Sequence, residues 1–208
     1  MEKNYNFLTL GGTCKPADAL RDMGYREFAL PFDWVQSRIS SFDKCFKDGF
    51  RRYHCGLRMN KEGKRLIDAY GFEFPHDYPT NIETEESEFV TENKIVKDWD
   101  KYYSKNIEKY SRRIERFLEI VRSKKPIIIL CDFFYNDVIK LREFLKKYYN
   151  KDNVFFINST PNVYETELSS YNIINIYTEK NGKWNDIEVW KPVVERVINQ
   201  IPPSMEFS

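Results

Sequence analysis

The sequence lacks a net charge of either sign, a long apolar run and a targeting pattern at its start. Lysine and arginine total 33 against 32 aspartates and glutamates, so no global field favours nucleic acid or anionic lipid as a partner. No apolar run approaches the ~20 residues of a membrane span. No basic segment leads into an apolar stretch, as it would in a signal peptide. We therefore expect a cytoplasmic protein without a membrane span and without a nucleic-acid partner.

The cysteines and glycines lack the spacings of common metal and nucleotide sites. The four cysteines, Cys14, Cys45, Cys55 and Cys131, form no C-x-x-C pair, which argues against structural zinc and a secreted disulfide framework. Neither G-x-G-x-x-G nor a G-K-[ST] phosphate loop occurs, which argues against a standard dinucleotide or nucleoside-triphosphate site. We expect a reduced protein that binds no metal and needs no cofactor.

The sequence does contain an alternation of apolar strands and amphipathic helices. Apolar runs predict strands at residues 5–10, 26–30, 127–131, 154–157 and 173–177. Apolar residues at helical spacing predict helices at about 14–23, 39–46, 96–122, 137–148 and 187–201. This order predicts a single three-layer α/β domain over residues 1–208, with a mostly parallel central sheet flanked by helices. Residues 49–95 are expected to form an irregular, insertion-like region, with an exposed loop or lid at 82–92.

A glycine turn followed by a cysteine ends the first predicted strand. Gly11 and Gly12 break the strand, and Pro16 suits the first turn of the next helix. The thiol of Cys14 is therefore expected beside unpaired backbone N–H groups and the positive end of the helix dipole, which favour the nucleophilic thiolate. The same N–H groups could hold an oxyanion or a phosphate. A small residue that only caps the helix is the alternative interpretation.

Polar side chains follow several of the predicted strands. Ligands of open α/β sheets bind outside the carboxyl ends of the strands. Three segments should therefore converge there: 11–14, 31–34 and 132–136. Cys14, Asp33 and Asp132 are the polar side chains that these segments deliver. Asp33 could instead cap the helix that follows it.

Several motifs of the chain occur together in a known family. They are Leu10-Gly11-Gly12-Thr13-Cys14, Leu30-Pro31-Phe32-Asp33-Trp34, His76-Asp77 and the helical segment from Lys109 to Phe117. In this combination the chain resembles, over most of its length, a bacterial and viral family of papain-like cysteine peptidases, otherwise a domain of unknown function. The resemblance implies Cys14 as the nucleophile and His76 as its base. Asp77, Asp33 or Asp132 would orient the imidazole. A papain-like α+β arrangement is the alternative fold.

Three functions remain open from the sequence. A cysteine-dependent hydrolase or acyl transferase would form and resolve an acyl-enzyme on a peptide, acyl or glycoconjugate substrate. A phosphate- or nucleotide-sugar-binding transferase would seat its phosphate in the glycine turn. A non-catalytic binding module would keep only the fold and its aromatic surface. The residues expected to contact a substrate are Gly11, Gly12, Thr13, Trp34, Asp132, Arg112 and Arg116.

Two of these assignments have an alternative in the sequence itself. Arg112 and Arg116 share a helix face and could clamp a phosphate or carboxylate. Alternatively, this face is exposed to solvent, or the two arginines form ion pairs with nearby acidic residues. His54 is the alternative base to His76.

Overall fold

Two helical layers enclose a central sheet of parallel strands. The structure, a computed structural model, describes residues 3–82, 93–160, 171–178 and 187–202. The strands in these residues are β1 (Asn6–Thr9), β2 (Arg58–Met59), β3 (Leu66–Ile67), β4 (Glu73–Phe74), β5 (Ile127–Cys131), β6 (Val154–Thr160) and β7 (Ile173–Tyr177). The helices are α1 (Lys15–Asp22), α2 (Ile39–Lys47), α3 (Tyr103–Arg122), α4 (Tyr135–Tyr149) and α5 (Ile187–Gln200), with a short 3-10 helix (Trp99–Tyr102) before α3. Among these described helices, none combines the length and the apolarity needed to cross a bilayer.

The central sheet has the order β1–β5–β6–β7, and its neighbouring strands all run parallel. Every residue of β5 is buried, and its side chains alternate between the two faces. Ile127 and Ile129 pack with α2, α3 and α4, whereas Ile128 and Leu130 pack with α1 and α5. A continuous apolar run is typical of a parallel strand that is covered on both faces. The predicted three-layer α/β fold with a mostly parallel sheet is confirmed.

An aromatic core fixes the segment between β1 and α2. Phe32 is 1% exposed, and its ring contacts those of Phe42, Phe46, Phe50, Tyr53, Phe72 and Phe117. Offset and edge-on ring pairs of this kind add to the free energy gained from burial. The neighbours of Phe32 in sequence, Asp33 and Trp34, are thereby held at a fixed place near the carboxyl end of β1.

The predicted strand at 26–30 is wrong, because these residues are irregular and a turn follows them at 31–34. The carboxylate of Asp33 accepts the N–H of Leu30 at 2.8 Å and the Nε–H of Arg26 at 3.2 Å. The N–H of Asp33 in turn donates to the carbonyl oxygen of Leu30. The N–H of Leu30 is therefore not available to a neighbouring strand, and β1 is an edge strand of the sheet. The apolar side chain of Phe28 is 39% exposed.

The region predicted as irregular contains a small antiparallel sheet. Its strands β2, β3 and β4 are two residues each and pair in that order. A backbone bridge joins β4 to Gln36, through hydrogen bonds of 2.9 Å in both directions with Glu73. This small sheet is therefore connected to the segment that follows β1. The predicted lid at 82–92 lies outside the described residues, except for Ile82.

Candidate active site

A cleft of about 560 Å³ lies beside the turn that follows β1. The residues that line it are Cys14, Asp18, Trp34, Gln36 and His76. They come from the turn before α1, from α1, from the segment before α2 and from the loop after β4. The fold thus brings together Cys14, Trp34 and His76, which lie far apart in the sequence.

The glycine turn is held by the carboxylate of Asp132, the residue after β5. Its Oδ1 accepts the N–H of Gly12 at 2.5 Å and that of Thr13 at 3.3 Å, while its Oδ2 bonds the hydroxyl of Thr13. The N–H groups expected to bind phosphate are therefore already occupied by an anionic side chain. Asp132 supports the turn that carries Cys14, and its own pKa is raised to about 6, mainly by burial.

The carboxylate of Asp132 lies so close to the backbone of residue 11 that only glycine fits there. A Cβ at position 11 would lie 2.7 Å from Oδ1 of Asp132 and 2.8 Å from Cγ of Pro16. No larger side chain fits without moving the turn. The sequence pattern identified the break in the strand, whereas the structure supplies the steric reason for it.

The thiol of Cys14 is in a different electrostatic state from the one expected. Cys14 is 7% exposed and occupies the position before α1. Burial, with the carboxylates of Asp18 and Asp132, raises the pKa of this thiol to about 11, although Arg65 acts in the opposite direction. Burial and the two carboxylates thus favour the protonated thiol in this conformation, and a thiolate favoured by the helix terminus stays a prediction. A nucleophilic Cys14 needs a base.

In His76→Ala, where no imidazole takes the proton of the thiol, we expect the alkylation of Cys14 by iodoacetamide to be slow at neutral pH. Because only the thiolate reacts, a pKa of about 11 makes the rate rise about tenfold per pH unit from pH 7 to pH 10. Mass spectrometry of the modified peptides, with the more accessible Cys55 as an internal reference, measures this rate. Faster alkylation at Cys14 than at Cys55 at pH 7 would contradict the raised pKa.

Trp34 forms an aromatic wall of the cleft and touches His76. The two rings meet edge to face, with centroids 6.5 Å apart. The guanidinium groups of Arg26 and Arg21 lie over the indole at 5.1 and 5.5 Å from its centroid, a favourable placement for a cation. Arg26 also pairs with Asp33. The indole is therefore held in place beside the imidazole of His76.

Asp33 and Asp77 bond to groups other than the imidazole of His76. Asp33 is 2% exposed and accepts the Thr9 hydroxyl at 2.5 Å, in addition to its bonds with Leu30 and Arg26; burial raises its pKa. Asp77 pairs with Lys109 and accepts the Tyr110 hydroxyl at 2.7 Å. Through Asp77, helix α3 anchors the loop that carries His76. A role for either carboxylate in orienting the imidazole stays a prediction.

The two arginines proposed as phosphate clamps lie outside the lining of the cleft. Arg112 is exposed, and the guanidinium of Arg116 lies 5.2 Å from the ring centroid of Phe28.

His54, the alternative base, is fully buried with Nε2 at 2.8 Å from the hydroxyl of Tyr78, and burial lowers its pKa to about 4. His54 therefore belongs to the aromatic core.

Two residues of the cleft were missed from the sequence. Asp18 lies four positions after Cys14, a spacing that places both on one helix face and could have identified it. Gln36 has no such signal, because its place depends on the bridge to Glu73. Arg65 donates a hydrogen bond to Oε1 of Gln36, so the amide nitrogen is left as the donor end of this side chain.

No group of three or more potential metal ligands occurs among the described residues.

Comparison with known proteins identifies the family. A family described as "Putative papain-like cysteine peptidase (DUF1796)" matches residues 5–160. The chain belongs to this family. An uncharacterized protein of Acanthamoeba polyphaga mimivirus is 26% identical over 156 residues, with 64% of this chain and 64% of the viral protein covered. The chain thus spans about two thirds of that relative's length, and no solved structure matches.

Proposed function

We propose that this papain-like family member is a cysteine-dependent hydrolase or acyl transferase in which Cys14 is the nucleophile and His76 the base. The observation that carries the proposal is that Cys14 and His76, from separate segments of the chain, line one cleft. Membership of the family over residues 5–160, which include both, supports it.

The raised pKa of the Cys14 thiol determines what His76 must do in the reaction. Because the thiol is protonated at neutral pH, the imidazole takes its proton as sulfur attacks the acyl carbon. The C–S bond forms, the bond to the leaving group breaks, and the imidazolium returns the proton to that group. Water activated by the same imidazole then cleaves the thioester and regenerates the thiol. An acceptor other than water would make the reaction an acyl transfer.

Two donors near Cys14 suit the oxyanion of the tetrahedral intermediate. The backbone N–H of Cys14 makes no hydrogen bond within the part of the chain that the structure describes. The amide nitrogen of Gln36 is the free end of a side chain whose oxygen accepts from Arg65. Preorganised donors of this kind stabilise charge that develops in the transition state. Trp34 supplies an apolar wall for the substrate beside them.

The alternative of a phosphate-binding transferase is disfavoured by the same geometry. The carboxylate of Asp132 holds the amides of Gly12 and Thr13, so a phosphate there would meet a negative charge. Arg112 and Arg116 are not at the cleft. A non-catalytic binding module is distinguished from the hydrolase by the experiment below.

Trapping the acyl-enzyme tests the proposal. A panel of activated acyl and peptidyl esters is mixed with the protein, quenched in acid and analysed by peptide mapping. We expect an acyl group on Cys14 that is absent in Cys14→Ala and unaffected in Cys55→Ala. An acyl group found equally on Cys55, or none on Cys14 with any ester, would favour a binding module.

A further inference from the structure

The solvent face of the small sheet continues into the Cys14 cleft. The register places Arg58 of β2, Ile67 of β3 and Glu73 of β4 beside one another. The bridge from Glu73 then leads to Gln36, which lines the cleft. A groove of about 750 Å³ follows this face. An extended chain lying in the groove would therefore reach the proposed nucleophile.

The groove has a surplus of positive charge. Its charged lining residues are the cations Arg58, Lys61, Lys64 and Arg65 and the carboxylates Glu62 and Glu73. Glu73 is paired with Arg65 at 3.2 Å. Arg58, Lys61 and Lys64 are exposed and form no ion pair with any described residue. The hairpin formed by β2 and β3 thus presents three unpaired cations to a partner. Among its described residues, the groove has one unpaired carboxylate, that of Glu62.

Arg65 lies between the positively charged groove and the cleft that contains Cys14. Its Nη1 donates to Oε1 of Gln36 and to Oε2 of Glu73, so it belongs to both the groove and the wall of the cleft. Its positive charge also acts on the thiol of Cys14, where it opposes the effect of the neighbouring carboxylates. The field of the groove therefore extends to the place where an acyl group would react.

We propose that the groove binds an acidic segment of a polypeptide substrate whose acyl group reacts at Cys14. The inference rests on the proposed function, and it names the substrate class of that same site. A path from β2 across β3 and β4 to Gln36 crosses three strand spacings, or about 14 Å. This is the length of about four extended residues. Acidic side chains of the substrate are thus expected at about that separation from the reacting bond.

Peptide binding to Cys14→Ser tests the inference without any chemistry. The probes are a fluorescent glutamate-rich peptide and its glutamine-substituted counterpart, measured by anisotropy at low and high salt. We expect the glutamate peptide alone to bind, with an affinity that falls as salt rises. Adding Arg58→Glu, Lys61→Glu and Lys64→Glu should weaken binding by at least about tenfold. Adding Lys44→Glu, Lys105→Glu and Lys191→Glu, an equal charge change on exposed helical positions, should leave it within about twofold.

The outcomes separate this inference from the proposed function. Equal binding by the two triple variants, or competition by a single-stranded oligonucleotide but not by the glutamate peptide, would overturn the acidic-segment site. Charge-dependent peptide binding without any acylation of Cys14 in the wild type would retain the site and remove the hydrolase. Circular dichroism checks the fold of both triple variants. If the groove variant does not fold, Arg58→Gln and Lys64→Gln replace it, each with an expected loss of about twofold to threefold.

Discussion

Replacement of Cys14 by alanine should lower kcat/KM for hydrolysis of an activated acyl ester by at least about 1,000-fold. The reason is that the sulfur forms the covalent intermediate, and no other described side chain of the cleft is a comparable nucleophile. His76→Ala should cause a loss of similar size, because a thiol whose pKa is about 11 has almost no thiolate at neutral pH.

The double variant gives the decisive comparison. If Cys14 and His76 act as a unit, Cys14→Ala combined with His76→Ala should be no slower than either single variant. Cys55→Ala is the matched control, since Cys55 is accessible but lies outside the lining of the cleft. Losses that multiply in the double variant, or a loss of equal size in Cys55→Ala, would show that the two residues do not share one reaction.

Asp132→Ala should lower the free energy of unfolding by about 3 kcal/mol. The substitution removes the acceptor of the Gly12 and Thr13 amides and of the Thr13 hydroxyl, all in a partly buried turn. Asp132→Asn is the matched control, because an amide can still accept both N–H groups and donate to the hydroxyl. Urea denaturation of the two variants measures the difference. Equal stability of the alanine and asparagine variants would contradict the supporting role of Asp132.

The comparison of wild type with Asp132→Asn gives a pH dependence of known sign. The folded protein raises the pKa of Asp132 to about 6, above the value of about 3.9 for an unfolded chain. The unfolded state therefore loses its proton first, and the contribution of Asp132 to stability falls as the pH rises from about 4 to about 6. Wild type should thus lose stability relative to Asp132→Asn over this window. A constant difference between them would contradict the raised pKa.

The central sheet could be predicted from sequence because its strands depend on local pattern. The run from Ile127 to Cys131 is apolar at every position, which suits a strand covered on both faces. The segment at 26–30 contains Arg26 and Glu27 beside three apolar residues and is irregular in the structure, where the buried carboxylate of Asp33 accepts the N–H of Leu30. A hydrogen bond from one backbone N–H to a nearby side chain leaves no mark on the hydrophobic periodicity of the sequence. The two-residue strands of the small sheet are likewise too short to produce an alternating pattern.

The candidate site was predictable where chemistry and motif coincide, at Cys14 and His76. The state of the thiol was not, because the helix terminus is visible in the sequence whereas burial and the approach of Asp132 are tertiary effects. Gln36 was missed for the same reason, since only the bridge to β4 brings it to the cleft. Asp132 was correctly expected at the carboxyl end of β5, but it binds the turn instead of standing free for a substrate.

The rate of Cys14 acylation as a function of pH, in wild type and in His76→Ala, tests the central claim most directly. In wild type the imidazole takes the proton, so acylation should be rapid at pH 7. In His76→Ala it should be at least about 1,000-fold slower at pH 7 and rise about tenfold per pH unit towards the thiol pKa of about 11. Identical rates in the two proteins across this range would contradict a Cys14–His76 pair.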